Sequence, residues 1–583
     1  MPISLLHRRK TAARSATSFL GALAIGALSA CGGDARPLTA VEFTTPTPPA
    51  PVAGSCTPLV MSVGAATTIA GTNVCVSGGA LGAEFALVPF NASTTASARA
   101  TFDVQPTGIL PVTSALAEVS AAGMLGASSA QIAATGQQTF ELALRSRERT
   151  ALVSRAGNAR SWFASRGASG GARLNVIPKT ALVGDLVSLN SNADQACSKP
   201  IMRAARIMAV GRRALVVADT LNPNGGYTQS DYASIAATFD DVVDPINTKA
   251  FGDPSDIDGN GRVVLFFTSA VNALTPKDAS YYVGGFFYGR DLLPTTGTSV
   301  AGACAASNTA EMFYMLVPDP TGMINGNDFS KDFVSRATIA TVAHEYEHLI
   351  NASRRLYVNT GASDFEDTWL DEGLAHMAEE LLFYGRSGLT ERNNIDATLV
   401  RSNNTYRNAF NTDGISNFGR FGSFLSSPST NSPYAGNDSL ATRGATWAFL
   451  RYAIDQQLAS QETVLNRLLN STTTGLANLR AVFGTDLTPI FRDWSNALIL
   501  DDVSGAGSQY QYRSWNMSSI FSALDKDGLY RLGAQSLATG ESRSVSIAGG
   551  GAAYLRFGVA ANGVGSLSWT APAAIQTTIV RLK

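Results

Sequence analysis

Runs in which apolar and polar residues alternate occur in two separate parts of the chain, and such alternation predicts β-strands. The first part spans residues 56–105, where AEFALVPFNAS (83–93) is the clearest strand and Gly, Ser and Thr mark the turns. The second part lies in the segment 506–583, where SRSVSIAGG and AAYLRFGVA follow from about residue 535. The pattern therefore predicts small β-rich N- and C-terminal domains over these two segments.

The segment 196–505 follows a different pattern, in which apolar runs are separated by stretches of helical periodicity. Apolar residues recur at three- and four-residue steps in 227–246, which predicts a helix, and further helices are predicted over 369–384 and between residues 440 and 500. Three apolar runs are typical of buried strands, namely RALVVADT (213–220), RVVLFFTSAV (262–271) and EMFYMLVPD (311–319). This part of the chain is therefore predicted to be an α+β domain.

The segment 106–195, between the first β-rich region and the α+β region, is rich in Ala and Ser. It holds one stretch of helical character, QQTFELALRSRERTALVSR (137–155). The sequence leaves two interpretations open for this segment, a linker and a propeptide-like region.

The first 30 residues are typical of a bacterial export signal, because a basic HRRK precedes an apolar FLGALAIGALSA that is too short to span a bilayer. This stretch ends in LSAC and resembles a lipobox, in which Cys31 would be lipidated and begin the mature chain. The alternative is an ordinary signal peptide cut near Ala30. If Cys31 is lipidated, the Pro- and Thr-rich segment 31–55 would tether the protein to a membrane. Since Gly32 and not Asp follows the cysteine, we expect a lipid-anchored protein of the bacterial envelope, at the outer membrane or cell surface.

The remaining cysteines fit an exported protein. If Cys31 is lipidated, four remain, and an even number in an exported chain suggests disulfides. Proximity favours Cys56–Cys75 and leaves Cys197–Cys304, although three pairings are open. The 44 basic and 45 acidic side chains form no dense basic patch, so a nucleic-acid partner is not supported.

The chain has only four histidines, and two of them lie four residues apart in TIATVAHEYEHLINASRR (338–355). The apolar residues of this stretch recur at helical steps, so His344 and His348 would stack on one face of a helix and bind one cation. Glu345 would point beside the metal, where it could take a proton from water. This is the H-E-x-x-H arrangement of zinc hydrolases.

A catalytic zinc ion needs a third protein ligand and an open position for water. FEDTWLDEGLAHMAEELLFYG (365–385) is predicted to be a second helix, since Thr368 and Asp371 have the spacing of a capping box. Glu372 lies off the predicted apolar stripe of this helix and is the best third ligand. The stripe consists of Leu370, Leu374, Met377 and Leu381.

HEYEHLIN followed by WLDEGLAHMAEEL resembles the gluzincin pattern of zinc metallopeptidases. Over roughly residues 200–505, the order of FGDPSDIDGNGRVVLFF, EMFYMLVPD, HEYEHLI, WLDEGLA and RGATWAFLRYAIDQQ is similar to that of the bacterial hyicolysin family. The resemblance implies one zinc ion on His344, His348 and Glu372, with Glu345 as the base. It also implies an α+β zincin-like catalytic domain flanked by the small β-rich N- and C-terminal domains.

The sequence leaves the group that stabilises the oxyanion open among His376, Tyr434, Arg443 and Tyr452, because gluzincins use a Tyr or His for this role. His376 follows Glu372 by one turn, so it could instead orient a zinc-bound histidine, or be only a partly buried polar residue. Glu379 and Glu380 follow on the same helix, where either could assist the site or simply be solvated.

A second cation site is predicted in DPSDIDGNGRV (253–263), where Asp253, Asp256, Asp258 and Asn260 offer oxygen ligands typical of calcium on a Gly-rich turn. An EF-hand would need Glu at the position of Phe267, so the motif is incomplete. The alternative is an Asp/Gly turn before a strand.

These patterns together predict a zinc endopeptidase that acts on protein or peptide substrates and contacts the membrane through a lipid anchor. Two other functions stay open. One is a zinc aminopeptidase or glycopeptidase, and the other is a surface binding or adhesion lipoprotein.

Overall fold

The computed structural model describes residues 56–112, 129–169, 177–279, 281–296, 302–525 and 528–583. The predicted signal peptide, Cys31 and the tether lie outside these residues. Within the described part of the chain, no helix combines the length and apolar content that crossing a membrane requires.

The described chain begins and ends with strands, and a long series of helices precedes the last strands. The strands are β1 (Ala66–Ile69), β2 (Asn73–Ser77), β3 (Ala83–Asn91), β4 (Arg99–Thr107), β5 (Leu186–Asn190), β6 (Met202–Val210), β7 (Ala214–Asp219), β8 (Val263–Phe267), β9 (Gly285–Phe287), β10 (Met312–Met315), β11 (Gln535–Ser536), β12 (Arg543–Ala548), β13 (Leu555–Val559), β14 (Val564–Thr570) and β15 (Ile575–Arg581). The α-helices are α1 (Ser129–Ser169), α2 (Gln229–Thr238), α3 (Asp244–Phe251), α4 (Ser269–Asn272), α5 (Lys331–Tyr357), α6 (Thr368–Ser387), α7 (Ala397–Arg401), α8 (Asn404–Ala409), α9 (Ile415–Leu425), α10 (Leu440–Asp455), α11 (Gln461–Leu469), α12 (Gly475–Phe483), α13 (Thr488–Leu500) and α14 (Met517–Leu524). Two π-helical turns (Phe239–Val243 and Phe410–Gly414) and two 3₁₀ turns (Gly289–Leu292 and Ser508–Tyr510) complete the helical segments.

The two predicted β-rich regions form one β-sandwich. Its sheets have the strand orders β1–β15–β3–β13–β11 and β12–β4–β14–β2. Among the described strands, every pairing in the sandwich except β13–β11 joins one of the first four strands (β1 to β4) to one of the last five (β11 to β15). The prediction of separate N- and C-terminal domains is therefore wrong, because alternation identifies a strand but not its partner.

Strand β3 is apolar at consecutive positions because both of its faces are buried. Phe85 and Leu87 pack inside the sandwich, where the Phe85 and Phe557 rings stack with centroids 5.7 Å apart. Ala86, Val88 and Phe90 point to the opposite face and pack into the large core shared with the helices. Because successive side chains of a strand point to opposite faces, β3 joins the sandwich to the helical region.

A six-stranded mixed sheet, in the order β5–β6–β7–β8–β10–β9, forms the α+β region. Strands β7, β8 and β10 are parallel, and β9 lies antiparallel to β10 at one edge. In β8, Leu265 packs in the core that includes α5, whereas Val264 packs on the other face. Both faces are covered, which explains the continuous apolar runs that predicted these strands.

The predicted strands in this region are confirmed with shorter bounds. The run 262–271 is a strand only as far as Phe267, because the Thr268 side chain accepts a hydrogen bond from the Ala270 N–H and caps α4. The run 311–319 is a strand only over β10. Periodicity identified these elements, and capping and pairing set their ends.

The segment 106–195 includes the long helix α1, which docks on the α+β region. The Arg160 guanidinium donates hydrogen bonds to the carbonyl oxygens of Arg355, Leu356 and Ala362 around the end of α5. Ala159, also on α1, is fully buried. The helix is thus packed against the fold over the part whose side chains are described.

The cysteine pairing favoured by proximity is confirmed, with disulfides Cys56–Cys75 and Cys197–Cys304. The second bridge closes a much longer loop, with a sequence separation of 107 against 19. Converting Cys197 and Cys304 to Ser is expected to lower the free energy of unfolding by about 5 kcal/mol, since closing a long loop restricts the unfolded chain most. Urea unfolding measures this change. The matched double variant at Cys56 and Cys75 should lose less, and a larger loss there would contradict the loop-length explanation.

Candidate active site

Helix α5 positions the two histidines of the motif. Its apolar stripe, including Val342, Tyr346 and Leu349, is buried as predicted. His344 and His348 lie one turn apart on another face, and their Nε2 atoms are 3.2 Å apart. Both side chains are buried, so they face the protein interior and not bulk water.

Helix α6 brings Glu372 to the same point. Its Oε2 lies 3.4 Å from Nε2 of His344, and its Oε1 lies 3.7 Å from Nε2 of His348. Ligands about 2.1 Å from a tetrahedral zinc ion are separated by about 3.4 Å. The spacing of the three side chains is therefore compatible with one bound metal ion.

The second ring nitrogens of the two histidines face carboxylates. Nδ1 of His344 lies 2.9 Å from Oε1 of Glu379, and Nδ1 of His348 lies 2.9 Å from Oδ2 of Asp371. Such partners fix the tautomer and orientation of metal-binding histidines. The predicted capping box of Thr368 and Asp371 is therefore wrong. The N-cap of α6 is Asp367, which makes no side-chain capping bond.

Glu379 is held in turn by two side chains. Nδ1 of His376 lies 3.0 Å from Oε1 of Glu379, and Nη1 of Arg420 donates to Oε2 over 3.0 Å. Burial, together with the Arg420 charge, lowers the pKa of His376 to about 3, so its imidazole is neutral. His376 therefore contacts the Glu379 carboxylate, which in turn orients His344. Glu380 bonds instead to Trp447 and Trp515 in the core.

Replacing Glu379 with Gln is expected to lower metal affinity about 10- to 100-fold, because His344 loses its charged orienting partner. Competition with a chromophoric zinc chelator measures the change. Glu380→Gln is the matched comparison, since this neighbouring glutamate is also buried. It should lower stability and leave affinity intact; an equal loss of affinity in both variants would contradict the orienting role.

Glu345 lies beside the His–Glu group and not within it. Its Oε2 accepts a hydrogen bond of 2.7 Å from the Phe287 N–H on the edge strand β9. The carboxylate therefore lies between the motif helix α5 and the edge strand β9.

Charges around the group favour the protonation state that metal binding needs at Glu372 and His348, but not at His344. Burial opposes ionisation of Glu372, but nearby Arg443 and the surrounding positive groups hold its pKa well below the usual value. Burial and Arg145 hold the pKa of His348 well below its usual value. Burial also disfavours charged His344, yet Glu372 and Glu379 outweigh it and raise its pKa to about 10, so a metal cation would replace this proton.

Helix α1 reaches the same group, which the sequence did not predict. Nε of Arg145 lies 3.4 Å from Oε1 of Glu372, and its Nη1 lies 3.4 Å from the Phe287 carbonyl oxygen. Glu148 accepts a hydrogen bond from the Gly289 N–H, just beyond β9. Arg145 also pairs with Glu148 three residues on, a spacing that usually marks an exposed helix face, so no sequence signal revealed its burial.

Of the other three residues predicted as candidates for stabilising the oxyanion, the structure places one beside the His–Glu group. Arg443 reaches the group, with Nη1 2.8 Å from Oε2 of Glu372. The Tyr434 hydroxyl donates to the Ser93 carbonyl in the β-sandwich, and the Tyr452 hydroxyl donates to the Gln509 carbonyl. Both hydroxyls are directed elsewhere, so the structure does not support the role predicted for these tyrosines.

The predicted calcium loop needs a correction. Asp256 and Asp258 lie together, but Asp253 pairs with Arg213 at 3.5 Å. Asn260 uses its amide within the loop, where Nδ2 donates to Oδ2 of Asp258 and Oδ1 accepts from the Arg262 N–H. Asp253 therefore lies outside the carboxylate group, whereas Asn260 lies beside one of its members, Asp258. The sequence analysis did not predict the third member of this group, Glu311, because it lies far from the loop in sequence, immediately before β10.

Comparison with known proteins finds a similarity to a metalloprotease. No model of a known protein family matches the chain. The chain is similar to the neutral metalloprotease ShpI of Staphylococcus hyicus, with 32% identity over 154 residues. The match covers 26% of this chain and 31% of that protein, so the chain spans about a third of the length of the relative it matches. This homology to a neutral metalloprotease supports a metal-dependent peptidase.

Proposed function

We propose that the protein is a zinc endopeptidase. The observation that carries this proposal is the convergence of two imidazoles and one carboxylate, with ligand atoms 3.2 to 3.7 Å apart, beside Glu345. His344, His348 and Glu372 would hold the ion, which when bound supplies Lewis-acid activation of water and of the scissile carbonyl.

The residues of this chain would divide the remaining work. Glu345 accepts a proton from the attacking water and passes it to the leaving amine nitrogen. Asp371 and Glu379 orient the two imidazoles, and Arg443 fixes Glu372. The substrate backbone pairs with β9 by strand addition, which places the scissile bond between β9 and α5.

We propose that the described conformation is latent, and that α1 is the propeptide-like region. Arg145 and Glu148 contact backbone groups of Phe287 and Gly289, at the edge where substrate would pair. A cavity beside His348 is also lined by Arg145, Glu148 and Leu152 of α1. A substrate strand and α1 would occupy the same edge, so α1 must move before hydrolysis.

The proposal extends to export and lipid anchoring at Cys31, on the evidence of the leader sequence. Labelling of the wild-type protein, but not of Cys31→Ser, by a radioactive fatty acid in a bacterial host would support the anchor. Label in both proteins would contradict it.

Casein hydrolysis with and without a zinc chelator, together with zinc analysis of the mature protein, tests the enzymatic function. We expect about one equivalent of zinc, and activity that chelation removes and zinc restores. A protein that binds no zinc would refute the proposal and favour a binding or adhesion lipoprotein. Peptides with blocked and free N-termini separate the endopeptidase from an aminopeptidase, since only the latter requires the free amine.

A further inference from the structure

Three carboxylates meet at a second place in the fold, outside the His–Glu group. Asp256 and Asp258 lie on the loop between α3 and β8, and Glu311 immediately precedes β10, the strand next to β8. One oxygen from each of the three lies within 4.8 Å of the others. Asp258 is 1% exposed and Glu311 is 2% exposed, whereas Asp256 is open to solvent.

Glu311 has an unsatisfied oxygen at this place. Its Oε1 accepts a hydrogen bond of 2.7 Å from the Ile257 N–H, but among the described residues its Oε2 is buried without a hydrogen-bond partner. Burial, and then the charges of Asp258 and Asp256, raise the pKa of Glu311 well above its usual value. A buried carboxylate beside two others is costly unless a proton or a cation compensates it.

The geometry points to a calcium site formed by Asp256, Asp258 and Glu311. The donors are oxygens from an irregular loop and from the residue immediately before β10, and Ca²⁺ accepts six to eight such ligands in flexible geometry. The exposed side at Asp256 leaves room for water to complete the shell. The group contains no imidazole or thiolate, so it does not suit a second zinc ion.

A Ca²⁺ ion bound by these three carboxylates would join parts of the α+β region that are distant in sequence. The loop supplies Asp256 and Asp258, and β10 follows Glu311 in the central sheet. The same loop contacts the motif helix, where the Ser255 N–H donates to the Ser353 hydroxyl over 3.3 Å. Ca²⁺ should therefore stabilise this region without taking part in hydrolysis.

Thermal unfolding and calcium titration of the full, zinc-loaded chain test the site. Millimolar Ca²⁺ should raise the unfolding temperature by about 2 °C, since binding to the folded state alone stabilises it. Calorimetric titration should give one calcium equivalent. Glu311→Gln and Asp256→Asn should each lose the shift and the binding; Asp256 is exposed, so its variant should fold even if the other does not.

Asp253→Asn is the matched control, because Asp253 lies on the same loop but outside the carboxylate group, and it should keep the full shift. Absence of calcium binding to the wild-type chain would overturn the inference, and so would an undiminished shift in both carboxylate variants. An equal shift with Mg²⁺ at the same concentration would overturn the assignment to calcium. None of these measurements uses peptidase activity, so they stand apart from the proposed function.

Discussion

Replacing Glu345 with Gln is expected to leave zinc bound and to lower peptide hydrolysis about 10³-fold, within the range that general acid–base groups usually contribute. Gln has the same shape, and its amide oxygen can still accept the hydrogen bond from the Phe287 N–H. It cannot accept the proton of the attacking water near neutral pH. Steady-state kinetics with a peptide substrate, and zinc analysis of the same samples, measure the two effects.

Asp332→Asn is the control for this variant, since it neutralises an exposed acid in the first turn of the same helix. It should retain both zinc and activity. Because the described conformation is proposed to be latent, both variants are also compared in a background in which α1 is displaced. Full turnover by the Glu345 variant in either background would remove Glu345 from the mechanism, and loss of zinc would assign it a structural role.

Replacing Leu152 with Asn is expected to raise hydrolysis of casein about 10²-fold. Leu152 is 2% exposed and packs from α1 close to Gly289, just beyond β9. Removing this contact and burying an amide should weaken the docking of α1 by about 3 to 4 kcal/mol. The equilibrium between docked and displaced α1 would then shift towards displacement by about 10²- to 10³-fold. Freed of α1, the β9 edge could accept a substrate strand.

Val153→Asn is the matched control, because the next residue on α1 is 45% exposed and should keep the helix docked. Zinc content should be the same in both variants, since neither residue belongs to the His–Glu group. Calorimetry identifies general unfolding, which would lower activity and not raise it. Equal activity in the wild-type chain and both variants would show that α1 does not limit access to the site.

Local periodicity and spacing were sufficient to predict several elements. The apolar steps around His344 predicted α5, and the stripe beginning at Leu370 predicted α6, and both are confirmed. The apolar runs predicted β7, β8 and β10. The position of Glu372 off the predicted apolar stripe, together with the resemblance to gluzincins, also singled it out as the candidate third ligand.

Interactions between distant segments could not be predicted in this way. The sequence indicated strands at both ends of the chain but not that they pair with one another in one sandwich. It suggested that Glu379 or Glu380 assists the site, and only packing shows that Glu379 contacts His344 while Glu380 faces two tryptophans. Asp371 had the spacing of a cap, yet in the folded chain it faces His348.

The sequence by itself determined which reactive side chains the two helices α5 and α6 carry. These are two imidazoles one turn apart with a glutamate beside them on α5, and a carboxylate on α6. Only the tertiary structure decided which side chains meet across elements, including Arg145 over Glu372 and Glu311 beside Asp258. The physical reason is that helical and strand periodicity are set by neighbours a few residues away. Contacts between segments depend instead on how buried surfaces pack together, and no short stretch of sequence encodes that packing.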